Sequence, residues 1–424
     1  MTVLLIVVLP VLLLLMGAPI FVALLAAALG GIVLSGNPIH ALHSAIFGNL
    51  DIFPLLAVPL FIYAGDIMSR GGIARRLIEL ILSLVGAVRG ALGIATIAAC
   101  EVFSVMSGSS VACVAAIGKL TIPALKKNGY GDTFSVSLVT ATGVIDVITP
   151  PSIAMIIYGI AAQQSVPQLF LAGFPAGILI GIALAIYVVW YAKVEKIPIT
   201  APVERKDILA HLKDSIWSLL APIVILGGIY GGLFTPTEAA GVACIYAIVI
   251  SMFVYRELTW RQLWEITVES SALIAQILII VGAAGAFAWL ITTSGFPAKL
   301  IAFVDQLSLQ TWILLLVINV ILLFVGSVLE PPAAILLLTP LLTPIVYRAG
   351  VDPIHFGIIF TVNLAIGMFM PPFGLNLFAS HALFGTPLPK LYRGVLPFLV
   401  IYLVMLMLVT YVPAITLWPL KLLR

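Results

Sequence analysis

Charge is what this chain lacks. Only 9% of its 424 residues are Asp, Glu, Lys or Arg, while 62% are hydrophobic; a soluble domain carries roughly 25% charged residues. A water-soluble globule is excluded. So is a nucleic-acid-binding surface, because 20 basic and 17 acidic residues leave a formal charge of only +3, with the basic residues in loops. Cysteine is scarce too. Cys100, Cys113 and Cys244 lie apart in apolar segments, with neither disulfide-framework nor metal-ligand spacing, and read as packing residues. His355 and His381 have no carboxylate or cysteine pattern around them, which argues against a transition metal. A phosphate-binding Gly-Lys-Ser/Thr loop is missing, so energy for pumping must come from an ion gradient or another subunit. The short alternating segments of a membrane barrel are missing as well.

What is present is a series of apolar runs near the roughly 20 residues a spanning helix needs. They predict an all-α polytopic membrane protein. The first run, 3–35, has no basic leader and is too long for a signal peptide; it reads as a retained span interrupted at Pro10, Gly17 and Pro19. The polar stretch 35–51 is expected to be an external loop. A span at 53–69 leads into Arg70, Arg75, Arg76 and Arg89, interleaved with leucines and isoleucines at helical spacing, the pattern of an amphipathic interfacial helix. Elements follow at 90–106, 111–125, 133–149, 151–162 and 169–192. The most charged stretch, 193–214, holds Lys193, Lys196, Arg205, Lys206 and Lys213 and is therefore cytoplasmic. Spans at 215–233 and 238–255 are joined by Thr235, Pro236, Thr237 and Glu238, which reads as a capping box.

The second half repeats this order with elements at 266–292, 297–308, 311–328, 332–347, 355–370, 372–384 and 391–416. With the central loop inside, 53–69 runs inward and 266–292 outward, so the halves are inverted. Arginines crowd the first interfacial helix, whereas its counterpart has only Lys299, offset by Asp305. The C-terminus, with Lys421 and Arg424, then falls outside. Four parts result: an N-terminal scaffold at 1–52, a first repeat at 53–192, a central scaffold at 193–265 and a second repeat at 266–424.

The strongest motif is duplicated. Ile148, Thr149, Pro150, Pro151 and Ser152 correspond to Phe369, Met370, Pro371, Pro372 and Phe373. The separation of Pro150 from Pro371, 221 residues, also relates Pro123 to Pro344, Gly129 to Gly350 and Gly173 to Gly394. A proline pair breaks a membrane helix, and the freed backbone groups survive only in a protein-lined or wet cavity. Paired breaks in two halves point to a secondary transporter's binding site. Freed carbonyls suit a monovalent cation, and half-helix N-termini suit an anion. First-half candidates are Ser107, Gly108, Ser109, Gly143, Asp146, Thr149 and Pro150; second-half candidates are Gly326, Glu330, Asn363, Gly367, Met370 and Pro371. Among ionisable residues within spans, Glu330 and Asp146 read as functional. Asp66 reads as anchored by Arg70 four residues on, and Glu101 is open.

Together the motifs resemble the large membrane subunit of the tripartite ATP-independent periplasmic (TRAP) transporters. The resemblance rests on Ser-Gly-Ser-Ser at 107–110, Ala-Ala-Ile-Gly at 115–118, the stretches 148–159 and 169–173, and, in the second half, 352–357, 363–367, 371–376 and 234–240. It implies an inverted-repeat, elevator-type transporter in a bacterial inner membrane, with two re-entrant hairpins. Sodium, at least two ions and no organic cofactor, would drive uptake of a carboxylate-bearing solute such as a C4-dicarboxylate or sugar acid. The implied sodium sites lie at Ser107, Gly143, Val147 and Pro150, and at Gly326, Gly367, Met370 and Pro371. The implied substrate contacts are Ser107, Ser109, Glu330, Asn363 and Asn376. Implied partners are a small four-helix membrane subunit and a periplasmic substrate-binding protein, besides the bilayer. Glu330 followed by two prolines departs from the aspartate associated with sialic acid, and Asp146 is a charged residue where the pattern is uncharged; it could add an ion ligand or take up a proton. Rival readings are a stand-alone dicarboxylate or citrate-type symporter, a channel, and a membrane enzyme, for which no catalytic cluster is visible.

Overall fold

A computed structural model describes residues 4–36, 38–84, 88–199 and 205–422. Residues 200–204 of the basic loop, the side chain of Arg205, and Arg424 lie outside them. Every regular element among the described residues is helical, as composition requires of a chain that must satisfy its backbone without water. After a π turn at Leu4–Val8 come α1 (Leu9–Leu15), α2 (Ile20–Ser35), α3 (His40–Leu50), α4 (Ala57–Arg70) and α5 (Ile73–Leu84). A hairpin of α6 (Ala91–Ser107) and α7 (Ser110–Lys127) precedes α8 (Asp132–Thr142), the short α9 (Ile145–Ile148), α10 (Ile153–Ala161) and the long α11 (Val166–Val194). The central elements are α12 (Arg205–Asp214), α13 (Ile216–Tyr230) and α14 (Pro236–Val249). Then follow α15 (Trp260–Thr293), α16 (Phe296–Gln306), a hairpin of α17 (Thr311–Val328) and α18 (Pro331–Arg348), α19 (Pro353–Gly367), α20 (Leu375–Phe384), α21 (Leu388–Tyr411) and α22 (Ala414–Leu422). Among the described residues, eight helical stretches are long and apolar enough to cross a membrane, or nine if α12 and α13, bent by 54°, form one span.

The repeat is visible in element boundaries. Shifting α6 and α7 by 221 residues reproduces α17 and α18 to within one residue at each end. Both proline pairs, Pro150–Pro151 and Pro371–Pro372, contain a cis peptide bond. The breaks still differ. Residues 133–149 are interrupted early, at Gly143 and Val144, which leaves α9 as a single turn; α19 runs unbroken to Gly367, and the chain is non-helical to Gly374.

Helices α2, α3 and α4 pack on α15 and α14 packs on α4, while α21 packs on α8 and α19 and, with α19, lies against α11. Two expectations need correction. The stretch 35–51 is not a loop: α3 occupies most of it, because Gly282 and Gly285 of α15 leave room for Ile46 and Asn49, and Asn49 Nδ2 donates to the Val281 carbonyl at 3.1 Å. Close packing on small residues outweighs the polar composition. Asp66 is not held by hydrogen bonding to Arg70 either. It accepts from Ser270 Oγ at 2.6 Å, and Arg70 pairs with Glu269 across the α4–α15 contact.

The interfacial helix α5 buries Ile73, Leu77, Ile78 and Leu80 on one face. Its arginines are tied to the following scaffold: Arg75 and Arg76 each reach Glu257 at 2.6 Å, and Arg76 reaches Asp214 at 3.0 Å. The Arg76 guanidinium also stacks 3.7 Å from the centre of the Tyr255 ring. The capping box at Thr235 and Glu238 is present as expected, and a second, at Thr259 and Gln262, opens α15. His355 is a hydrogen-bonded packing residue, 2.8 Å from Thr416 Oγ1 and 3.2 Å from the Thr410 carbonyl.

Candidate functional site

Four helix starts build the site. Ser109 has an extended backbone before α7, and its hydroxyl accepts from the Ala112 amide at 3.4 Å. Ser152 does the same for α10, accepting from Met155 N–H at 3.4 Å while donating to the Val147 carbonyl at 2.6 Å. Glu330 precedes α18, whose first two residues are Pro331 and Pro332, and Gly374 precedes α20. All four starts open on one cavity of about 520 Å³, whose lining includes Ser109, Ser110, Ser152, Glu330, Pro331 and Leu375. Ile62 of α4 and Leu273 and Ile277 of α15 close its far side.

A helix start is the positive end of its dipole and exposes unpaired N–H groups. Three starts can offer these to an anion, with contributions of roughly 0.3–1 kcal/mol each, although at α20 the Asn376 and Leu377 amides already donate to the Met368 and Gly374 carbonyls. At the fourth, prolines at both leading positions remove two of the donors. There the exposed Glu330 brings a carboxylate instead. The cavity is thus apolar along its walls, receptive to negative charge at three points and negative at the fourth.

Of the residues singled out from the sequence, Gly108, Ser109, Val147 and Glu330 line this cavity. Ser107 ends α6 at the hairpin tip, and its Oγ lies 3.3 Å from the Ser109 carbonyl. The tip rests on α4: a Cβ at Gly65 would come within 2.7 Å of the Ser107 oxygen. Gly143, Pro150, Met370 and Pro371 lie in or beside the breaks without reaching the cavity wall. Gly326 and Gly367 bring α17 and α19 into backbone contact, since a Cβ at Gly367 would be 2.2 Å from the Gly326 carbonyl carbon. Asn376 is buried behind the lining, where its Oδ1 accepts from Ser110 Oγ at 3.0 Å. Asn363 is also buried, donating to Asn319 Oδ1 and the Ile359 carbonyl, both at 2.8 Å. Neither asparagine lines the cavity.

Asp146 and Asn363, both buried near the breaks, keep unsatisfied oxygens. Asp146 is 0% exposed; the Gly108 amide is turned toward it, yet neither carboxylate oxygen has a partner in hydrogen-bonding geometry. In the other half, Asn363 Oδ1 is likewise unpartnered. Buried oxygens left this way are costly and are ready donors to a hard cation. Sequence reasoning missed Ser110 and Ser152 as site residues. For Ser152 a signal existed, a serine directly before an apolar run.

Two helical hairpins and two broken helices around one cavity make this a multi-span membrane transporter fold. The crystal structure of the Alcanivorax borkumensis YdaH transporter matches it with a TM-score of 0.69 over 90% of each chain, at 15% identity. The sequence narrows the class: residues 6–415 match the family described as tripartite ATP-independent periplasmic transporter, DctM component, and the chain belongs to that family. It is therefore a multi-pass inner-membrane transport protein. It is 41% identical over 393 residues to the C4-dicarboxylate TRAP transporter large permease protein DctM of Pseudomonas aeruginosa, covering 93% of this chain and 92% of that one. It is also 41% identical over 406 residues to the isethionate TRAP transporter permease protein DctMQ of Oleidesulfovibrio alaskensis, covering 95% of this chain but 64% of that protein.

Proposed function

We propose that this chain is the ion- and solute-translocating subunit of a tripartite transporter that uses a sodium gradient to take up a carboxylate-bearing solute. The observation that carries this reading is the convergence of three N–H-bearing helix starts on one cavity beside two helix breaks. A carboxylate entering the cavity meets positive dipole ends, and each break offers main-chain oxygens to a cation. The ion sites fall around Ser107, Gly143, Val147 and Pro150 in the first half and around Gly326, Gly367, Met370 and Pro371 in the second. The unpartnered oxygens of Asp146 and Asn363 add donors to them, so Asn363 serves the ion rather than the solute. Ser109 and Glu330 contact the solute.

The hairpins are re-entrant and belong to a body that moves past a scaffold containing α4 and α15, in the elevator manner. The repeats at 53–192 and 266–424 are inverted. Partners are a small four-helix membrane subunit and a periplasmic binding protein; the names of the two relatives, one for a dicarboxylate and one for a sulfonate, support an anionic solute. The test is uptake into proteoliposomes holding both membrane subunits, with the binding protein outside. Carboxylate uptake rises steeply with an inward sodium gradient and needs the binding protein. Uptake indifferent to both defeats the reading.

A further inference from the structure

Behind the first break, one carboxylate has no counterpart in the second half. Glu101 lies on α6, where its Oε2 accepts from the Thr149 hydroxyl at 2.9 Å and its buried Oε1 has no partner. Thr149 is the extended residue that ends α9, directly before Pro150. Helix α11 is cut away to admit the pair. A Cβ at Gly177 would come within 2.5 Å of Thr149 Oγ1, and one at Gly181 within 2.6 Å of Glu101 Oε1.

At the 221-residue offset, Glu101, Thr149, Gly177 and Gly181 become Leu322, Met370, Phe398 and Tyr402. Leu322, Phe398 and Tyr402 are each 0% exposed, and none is an acid: Leu322 and Phe398 are apolar, and the Tyr402 hydroxyl donates to the Ala141 carbonyl at 2.7 Å. The frame of a break does not require a buried acid. The first break nevertheless holds Glu101 in addition to the buried Asp146, in surroundings where a carboxylate is expensive. What it adds is direction: a hydrogen bond fixes where Thr149 points, which packing on a flexible methionine does not. It also ties the break to α6, the arm that ends in the first hairpin tip.

We propose that Glu101 is a positioning residue for the first break, acting through Thr149 to hold the main chain at 147–150 in the geometry that binds a cation. This rests on the sodium-coupled reading of the breaks. The side chain itself touches neither ion nor solute.

Copying the second half provides the test. Glu101→Leu and Thr149→Met are made singly and together, and the sodium dependence of uptake is measured in proteoliposomes with the partner subunits. Each change raises the half-saturating sodium concentration by about tenfold or more while the maximal rate stays within about threefold. The double variant is no worse than either single one, because both act through one contact. Glu101→Gln, whose amide oxygen can still accept from Thr149, stays within about threefold of wild type. A merely structural role gives the opposite pattern: the apolar pair restores sodium affinity and only the melting temperature changes, which overturns the proposal. If Glu101→Leu does not fold, Thr149→Val removes the hydroxyl alone; a half-saturating concentration unchanged in that variant also overturns it. Wild-type uptake indifferent to sodium would instead defeat the earlier reading and this one with it. Failure here alone shows as a sodium-dependent wild type matched by its variants.

Discussion

At the scale of single residues, Asp66 and Glu330 are both carboxylates in apolar sequence, and the structure gives them opposite surroundings. Asp66 is held by Ser270 between two scaffold helices; Glu330 stands at the cavity with its charge uncompensated by its own helix start. Changing Glu330 to alanine should lower uptake by roughly tenfold, about 1.4 kcal/mol, whereas Asp66→Ala should stay within roughly twofold, a surface-like effect. Initial uptake rates at saturating sodium, corrected for the amount of reconstituted protein, check this; equal rates remove Glu330 from the solute site. The place of Glu330 at the cavity was legible because a carboxylate before two prolines is conspicuous. The burial of Asn363 and Asn376 was not, since which face of a fully apolar helix meets a cavity is set by partners far away in sequence. The anchored reading of Asp66 was legible, with Arg70 as a charged neighbour, but its hydrogen-bond partner Ser270, 204 residues on, was not.

At the scale of elements, α5 shows how an interfacial helix is fastened. Burial acts to raise the pKa of Glu257, but the hydrogen bonds from Arg76 and Arg75 prevail and hold the carboxyl below its ordinary value. A lowered folded value means stability that is present above the ordinary carboxylate range and lost as pH falls through the folded one. Wild type should therefore lose roughly 1 kcal/mol relative to Glu257→Gln between pH 7 and pH 4, the upper end for partly exposed pairs. Melting temperatures in detergent at the two pH values measure the difference, and parallel losses in both proteins refute the assignment. The amphipathic pattern of α5 was plain in the sequence, as was the capping box of α14. Invisible were the cross-chain partners, and also α3, whose polar composition concealed a helix that depends on two glycines of α15.

At the scale of the whole molecule, the halves match in element boundaries but not in chemistry. The proline offset found the repeat directly, because helix breakers mark positions without reference to partners. The inverted arrangement is the part that calls for measurement, and the repeat supplies a matched pair. Ser165, in the turn before α11, and Thr386, in the turn before α21, are related by the same 221 residues. Their cysteine variants should be labelled by a membrane-impermeant maleimide from opposite sides, Ser165→Cys from outside and Thr386→Cys from inside. The three native cysteines are buried and should contribute little background. Labelling of both from one side would mean parallel halves.

The contact between Gly326 and Gly367 has a consequence for genetics. Where two backbones touch this closely, a Cβ at Gly367 would lie 2.2 Å from the Gly326 carbonyl carbon. On the proposed reading most ion ligands are peptide oxygens, so truncating side chains removes only what Asp146 and Asn363 supply, and inactivating substitutions gather also at glycines, where an added carbon pushes the two main-chain segments apart. A map of such mutations would trace the machinery by its smallest residues as well as its charged ones.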